Sequence, residues 1–276
     1  MLEIPESHSM SRQITETLGG KKIEKVVANA SPHGFAFYFG DPLAYPPLLT
    51  RRVIGEAKPV GGQIEVSASG ATLLFGDGAN LRYYPAGAKM PAKHQLFLQF
   101  TDGSALIGTI QMYGSLSAYP EGANQNPYYL VAVEKPSPLL PDFDEVYFEK
   151  MFSDAKPKLS AKAFLATEQR VPGLGNGVLQ DILFIAGVHP ARAIGTLSDA
   201  AREKLFESVK KTLRAMTDLG GRDTEKNLFG EAGGYKTLLS RKTLEFPCPQ
   251  CGGSVTRKAY LGGNVYFCNT CQPLAG

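Results

Sequence analysis

The strongest constraint on the fold lies at the C-terminal end, where all four cysteines fall in two pairs, Cys248-Pro-Gln-Cys251 and Cys268-Asn-Thr-Cys271, with 16 residues between the pairs. Each CxxC pair can place two thiolates on one ion, and two such knuckles complete a tetrahedral four-sulfur site for zinc. A ribbon this short cannot build a hydrophobic core, so metal ligation takes its place. Two rival readings exist. A disulfide pair needs an oxidising compartment, and MLEIPESHSMSRQ lacks the basic-then-apolar order of a secretory signal. A redox CxxC would not require a second copy. The expectation is a structural zinc held by Cys248, Cys251, Cys268 and Cys271. Between the knuckles, VTRKAY and NVYF alternate like the strands of a hairpin joined at Leu261-Gly262-Gly263. Such a tip suits a nucleic-acid groove, but zinc ribbons equally hold folds together or bind protein.

The rest of the chain divides by periodicity. Residues 4–18 read as a helix, with Pro5 in the first turn, Met10, Ile14 and Leu18 four apart, and Gly19-Gly20 as the stop. From Lys22 to Val133 the pattern is short β-type runs: KIEKVVANA, FAFYF, QIEVSA, ATLLF, NLRYY, HQLFLQF, SALIGTIQMY and YYLVAV. Ser69-Gly70, Gly76-Asp77-Gly78 and Asp102-Gly103 read as turns between them. Pro136, Pro138 and Pro141 mark a linker, and helical patterns follow at about 143–153, 160–169, 177–186 and 197–218. NLFGEAGGYKT, residues 227–237, reads as a mobile glycine-rich loop. The expected class is α+β, with an N-terminal helix and β-sandwich domain over 1–135, a helical domain over 136–239 and a zinc-finger hairpin over 240–276.

At 276 residues and 43% hydrophobic, the chain is long enough for two domains with sizeable cores. It has no apolar run long enough to span a bilayer, so a cytoplasmic protein without membrane contact is expected. The net charge of +3 hides an asymmetry: residues 1–155 carry 12 basic and 16 acidic side chains, residues 156–276 carry 17 and 10. A basic C-terminal half points to a polyanion partner, although solvated lysines such as Lys204, Lys210 and Lys211 account for part of it.

Within that half, KAFLATEQRVPGLGNGVLQDILFIAGVHPAR, residues 162–192, sets two helical patterns around a glycine-rich turn. Val178, Leu179, Ile182, Leu183 and Ala186 recur at helical spacing. Pro172, Gly173 and Gly175 keep side chains out of the way, leaving backbone N–H groups and Asn176 to meet an anion, such as a phosphate, at the positive end of the helix dipole. The alternative is a tight helix–helix connection with Asn176 as an N-cap.

The order of these parts resembles the formamidopyrimidine-DNA glycosylase and endonuclease VIII family over essentially the whole chain. MLEIPE resembles the family's MPELPE start, QRVPGLGNGVLQDILFIAGVHP its helix-two-turn-helix signature, and PCPQCGG with YFCNTCQ its terminal zinc finger. The resemblance implies a monomeric two-domain protein that binds double-stranded DNA with a damaged base or abasic site between its halves, bends it and flips the lesion. It implies glycosylase and abasic-site lyase chemistry, in which an N-terminal proline amine attacks C1′ of the sugar and forms a Schiff base. Leu2 stands where that proline belongs. Met1 is then expected to persist and to move the free amine by about 3.8 Å, making the amine at Met1 or Leu2 the candidate nucleophile.

Glu3 and Glu6 match the family's acidic positions, the first in acid/base work and the second in support; both also suit a helix start. Lys162 and Asn176 match its phosphate contacts. The strand lysine falls at Gly62 or Gln63, with Lys58 as a replacement. The intercalating wedge aligns with Thr109–Gly114, leaving Gln111, Met112 and Tyr113 to fill the gap, and the finger arginine aligns with Gly263, with Arg257 and Lys258 as the nearest basic substitutes. The family also places the loop from Asn227 to Lys236 over the flipped base. Because nucleophile, wedge and finger arginine all differ, a lesion-binding protein without covalent chemistry is the alternative, and a zinc-ribbon RNA-binding protein a third.

Overall fold

The computed structural model describes residues 2–274. Helix α1 (Ile4–Leu18) has Pro5 in its first turn and buries Met10, Ile14 and Leu18. It is followed by β1 (Ile23–Ala28), the two-residue β2 (Ala36–Phe37), a short helix α2 (Tyr45–Leu49), then β3 (Ile54–Val60), β4 (Gln63–Ala68), β5 (Ala71–Tyr84), β6 (Leu96–Phe100) and β7 (Ala105–Pro120). These strands form one sheet in the order β1-β6-β7-β5-β4-β3, with β2 parallel to β7. Ile23, Leu98 and Phe100 from one side and Ile64, Val66 and Phe75 from the other share a single apolar cluster with Met10, Ile14 and Leu18. The sheet therefore closes over a common core, as a sandwich with a helix at its side.

Three local expectations change. Gly76-Asp77-Gly78 is not a turn: β5 runs through it, with a bulge between Asp77 and Ala79 opposite β7. Gly78 is required there, because a Cβ would meet the Tyr113 carbonyl oxygen at 2.1 Å. YYLVAV is not a strand but part of helix α3 (Pro127–Glu134), opened by the Asn126 side chain accepting from Tyr128 N–H and by Pro127 at the first position. The cap overrides the β propensity of the tyrosines and valines. IGEAKPV, which is not among the runs read as strands, is β3, held by pairing with β4 despite its lysine and proline.

The second unit contains α4 (Glu145–Asp154), α5 (Ala161–Ala166), α6 (Asn176–Ala186) and α7 (Asp199–Asp218). Helix α5 ends early because Glu168 and Gln169 take positive φ, 55° and 48°. Phe148, Phe164 and Phe206 pack with Val178, Leu179 and Ile182 in a second apolar cluster. The proline-rich segment is anchored to it, since Leu139 and Phe143 are buried there and their carbonyls accept from Arg214 and Lys210 of α7. The two clusters meet at the chain's start: Leu2 belongs to the first and Ile4 to the second. Leu2 N–H donates to the Asp77 carbonyl at 2.8 Å, and Ile4 N–H to the Gly173 carbonyl at 3.0 Å. Residue 3 thus sits on the seam.

Strands β8 (Thr256–Tyr260) and β9 (Gly263–Phe267) form the terminal hairpin, turned at Leu261 and Gly262 with φ 47° and 74°, the backbone a tight hairpin needs. The hairpin lies on α6: the Gln180 amide donates to the Asn264 carbonyl at 3.2 Å and accepts from Tyr266 N–H at 2.9 Å. Asp181, one residue on, accepts from Leu238 and Leu239 N–H, both at 2.9 Å, and fixes the entering chain. No helix among the described residues is long and apolar enough to cross a membrane.

Candidate active site and metal centre

Glu3 is carried onto the seam by the start of α1, and its carboxylate is 3% exposed. Its two oxygens accept from Gly177 N–H and Val178 N–H, each at 2.8 Å, at the N-terminus of α6. The anion expected at this helix end is therefore the chain's own Glu3 and not a phosphate. The helix dipole and two otherwise unpaired N–H groups hold the charge. Gly175 and Gly177 make the approach possible: a Cβ at 175 would meet Glu3 Oε1 at 2.6 Å, and one at 177 would meet Arg222 Nη1 at 1.5 Å. At Gly173, φ is +80° and a Cβ would lie 2.1 Å from Gly62 N, so this turn is pressed against the β3–β4 connection.

Glu6 lies one helical turn on. It accepts from the Arg222 backbone N–H at 3.0 Å, from Arg222 Nε at 3.0 Å and from Nη2 at 2.8 Å, while Arg222 Nη1 stands 3.4 Å from Glu3 Oε2. Among the described residues, one buried guanidinium thus serves two buried carboxylates. Burial raises the pKa of Glu3 above the ordinary carboxylate value; Arg222 opposes this and Glu6 adds to it. Burial disfavours the Arg222 charge, but Glu3 and Glu6 more than offset that, so its pKa stands above the usual arginine value. Arg222 stays charged, and Glu3 is the group with an enhanced hold on a proton. Sequence reasoning missed Arg222. It follows Gly220-Gly221 with no periodic signal, and its partners lie more than two hundred residues away.

The seam opens into a cleft of about 590 Å³, lined by Leu2, Glu3, Gln63, Asp77, Met112, Tyr113, Tyr128, Lys162, Asn176 and the finger turn Leu261–Gly263. Leu2 is placed by its buried side chain and its N–H bond to Asp77; Met1 lies outside the described residues. Met112 is 71% exposed beside Tyr113 and the exposed Gln111, at the bend of β7 facing the bulge. Lys162 Nζ donates to the Tyr260 carbonyl at 2.6 Å, with burial lowering its pKa. Asn176 Nδ2 donates to the Asn264 carbonyl at 2.8 Å, while its buried Oδ1 has no partner. Gly263 lets the hairpin lie this close, since a Cβ would touch Asn176 Nδ2 at 3.3 Å.

Other candidates are placed elsewhere. Lys58 points outward, 3.7 Å from Glu56, and does not replace a cleft lysine; Gln63 occupies that wall. Arg257 and Lys258 are exposed on β8, the former donating to Asn264 Oδ1 at 3.1 Å, and neither lines the cleft. Consecutive on β8, they project to opposite faces of the hairpin, short of the turn that does. The 227–237 loop is not free: Leu228 is buried in the first apolar cluster, Tyr83 N–H donates to its carbonyl at 2.9 Å, and Arg82 Nη1 donates to the Asn227 carbonyl at 2.8 Å. Its leucine anchor, read in the sequence as loop, pins it to the β unit and away from the cleft lining.

The four cysteine sulfurs lie within 4.8 Å of one another. Cys248 and Cys271 are 3.8 Å apart and Cys251 and Cys268 3.5 Å, none in a disulfide. A tetrahedron with metal–sulfur bonds of about 2.3 Å has edges of about 3.8 Å, so this cage fits a four-thiolate metal site.

An N-terminal helix on a β unit, a helical unit joined to it at a carboxylate-lined seam, and a four-cysteine hairpin over the opening define a class of two-unit α+β proteins. Among sequences, formamidopyrimidine-DNA glycosylase of Shouchella clausii is 30% identical over 199 residues, 69% of each chain. That of Cereibacter sphaeroides is 27% identical over 296 residues, 99% of this chain and 100% of the other. Among solved structures, the Lactococcus lactis enzyme bound to abasic-site DNA superposes with a TM-score of 0.84 at 21% identity, covering 98% of this chain and 99% of the other. The Thermus thermophilus protein gives 0.80 at 23%, covering 98% of each. No protein-family model matches the sequence. The chain belongs to the formamidopyrimidine-DNA glycosylase and endonuclease VIII family.

Proposed function

We propose that the protein acts in base-excision repair as a DNA glycosylase and abasic-site lyase on damaged or abasic duplex DNA. The observation that carries this is Glu3: a buried carboxylate with a raised pKa, held by the α6 N-terminus and Arg222, facing the cleft between two units. A group poised in this way suits proton transfer near neutral pH. In the glycosylase step the bond between base and C1′ breaks, its electron pair leaves with the base, and the base takes up a proton. The nucleophile forms the new bond to C1′ and loses a proton. If it is the N-terminal amine, the C1′–O4′ bond of the resulting aminated sugar breaks, O4′ takes the electron pair and a proton, and the nitrogen lone pair forms the C=N bond of a protonated Schiff base. Loss of a C2′ proton then expels the 3′ phosphate.

Glu3 is the acid/base group in this reading, Glu6 and Arg222 position it, and the amine at Met1 is the nucleophile. Residues 1–135 supply the wedge from Gln111, Met112 and Tyr113. Residues 136–239 supply the backbone grip through Lys162 and Asn176, and residues 240–276 close the cleft. Arg257 and Lys258, outside the cleft, serve flanking phosphates. A second reading, non-covalent lesion binding, is favoured by one observation: Leu2 is locked by its N–H bond to Asp77 and its buried side chain, in the place of the family's reactive proline. Borohydride reduction with an abasic-site duplex separates the two. Lyase chemistry predicts a stable adduct mapping to the N-terminal peptide; tight binding of the same duplex with neither adduct nor strand cleavage would leave the binding reading.

Zinc is the metal proposed for the cysteine cage, since four thiolates suit it and make the site structural. Native mass spectrometry should find one zinc per chain. Chelation should unfold the hairpin, release the Tyr260 and Asn264 carbonyls from Lys162 and Asn176, and weaken binding to abasic duplex by about tenfold, or about 1.4 kcal/mol. Unchanged affinity in metal-free protein would remove the finger from the interface.

A further inference from the structure

Between Arg222 and Tyr235 the chain leaves the helical unit, crosses the seam and returns. Its two legs are joined at the base, where Asp223 N–H donates to the Tyr235 carbonyl at 2.8 Å and Tyr235 N–H to the Gly221 carbonyl at 3.0 Å, and again near the tip by a bridge between Lys226 and Ala232. Gly233 permits the close approach, since a Cβ there would lie 2.2 Å from the Gly221 carbonyl oxygen. Asn227 builds the tip: its side-chain oxygen accepts from Phe229 N–H and Glu231 N–H, both at 3.0 Å. A loop braced on itself in this way transmits a displacement from tip to base.

The tip is fastened to the β unit. Leu228 is fully buried in the first apolar cluster, its N–H donates to Gln13 Oε1 of α1 at 3.1 Å, its carbonyl accepts from Tyr83 N–H of β5 at 2.9 Å, and Phe229 meets the Tyr83 ring edge-on. The base is fastened to the helical unit, where Gly221 N–H donates to the Met216 carbonyl at 2.8 Å and Gly234 N–H to the Leu219 carbonyl at 2.9 Å. We propose that Leu228 is a positioning residue for Glu3: by plugging the loop tip into the β unit, it holds the Arg222 guanidinium at the loop base in register with both buried carboxylates. The proposal rests on the repair reading for the role of Glu3 and assigns what keeps that carboxyl's cation in place.

The packing supports this coupling. Gln13 and Glu6 lie about two helical turns apart on α1, so one face of the helix receives both the tip and the base of the loop. The loop fits closely there: the spaces left between it, α1 and β5 around Glu6 are each of about 10 Å³, room for about one water. Arg222 reaches Glu6 at 2.8 and 3.0 Å but Glu3 at 3.4 Å, so a small shift of the base costs Glu3 its cation first. Glu3 is faced by Arg222, by Glu6, by the N–H groups of Gly177 and Val178 and, from β7, by Tyr113; Arg222 is faced in addition by Glu225 and Asp181. Of these, Arg222 is the largest influence lowering the Glu3 pKa, so a looser base lets the carboxyl keep its proton to higher pH.

The test follows the Glu3 titration directly in the full-length protein, by carbon NMR of labelled glutamate carboxyls, with Glu3→Gln assigning the resonance. Leu228→Ala should move the midpoint to higher pH and lower the single-turnover rate on damaged duplex by about tenfold or more, with lesion affinity nearly retained, as expected when a reacting group is misplaced. Gln13→Ala, which removes one fastening of the tip without opening the core, should move the midpoint the same way by less. Leu228→Met, which refills the space, should restore it. An unchanged midpoint in Leu228→Ala and Gln13→Ala, with only the unfolding temperature lowered, overturns the positioning role; if Leu228→Ala does not fold, Gln13→Ala decides alone. The titration needs no substrate, so a wild-type protein inactive on damaged duplex would remove the repair reading while the midpoints still decide whether Leu228 governs Arg222.

Discussion

Replacing Glu3 by glutamine should lower the single-turnover rate on damaged duplex by roughly 10²–10⁴-fold, the usual worth of a positioned general acid or base, with lesion affinity nearly retained. Glutamine keeps the shape and one carbonyl acceptor for the α6 N-terminus, but it cannot carry the proton. The pH profile gives a second readout. Because burial raises the Glu3 pKa, its protonated form persists above the pH at which a free carboxyl ionises. Acid catalysis by Glu3 therefore predicts activity that falls as pH rises through that raised value, and a Glu3→Gln enzyme whose residual activity lacks this limb. A variant within tenfold of wild type, with the same pH profile, would show that the carboxylate only holds the seam together.

The second large effect concerns stability. Arg222→Met should destabilise the protein by about 3–5 kcal/mol, the cost of leaving buried charges without their partner. Among the described residues Arg222 is the one cation paired with both Glu3 and Glu6, and all three are at least 94% buried. The effect should depend on pH. Folded Glu3 binds its proton more tightly than the unfolded chain does, so its contribution to stability is full below the ordinary carboxyl value and is lost as pH rises through the folded value. Removing Arg222 deletes the largest influence that lowers this pKa, so the loss deepens and extends to higher pH. Urea denaturation should show a larger deficit at about pH 7 than at about pH 5. A deficit below about 1 kcal/mol, or one independent of pH, would mean that the guanidinium is not what compensates these carboxylates.

The two variants probe one assembly from opposite ends. Glu3 accepts from the helix that begins the second unit and pairs with an arginine from the segment after α7, while its neighbours Leu2 and Ile4 anchor in different cores. Closure of the two units and placement of the acid are thus the same event. A chain that misassembles at the seam loses the site without losing either core.

The elements whose physics is local were legible from residue order. Helix α1 ran from Ile4 to Leu18 as the spacing of Met10, Ile14 and Leu18 required, α6 came within one residue of the expected 177–186, with Gly175 and not Asn176 at its cap, and the cysteine spacing brought four sulfurs within 4.8 Å. Caps, apolar period and CxxC knuckles act over a few residues, so they can be read without knowing where the rest of the chain goes. YYLVAV marks the limit of propensity, since a single asparagine and proline made it a helix. What tertiary structure alone decided is the site. The partner of the α6 N-terminus was an acidic side chain 174 residues earlier, Glu6 found Arg222 across 216 residues, and Asp77 reached the cleft through a bulge that reads in sequence as a turn. Such pairings follow from which buried charges the packed units bring within a few ångströms of one another. Residue order specifies charge and size, and only the closed fold specifies neighbours.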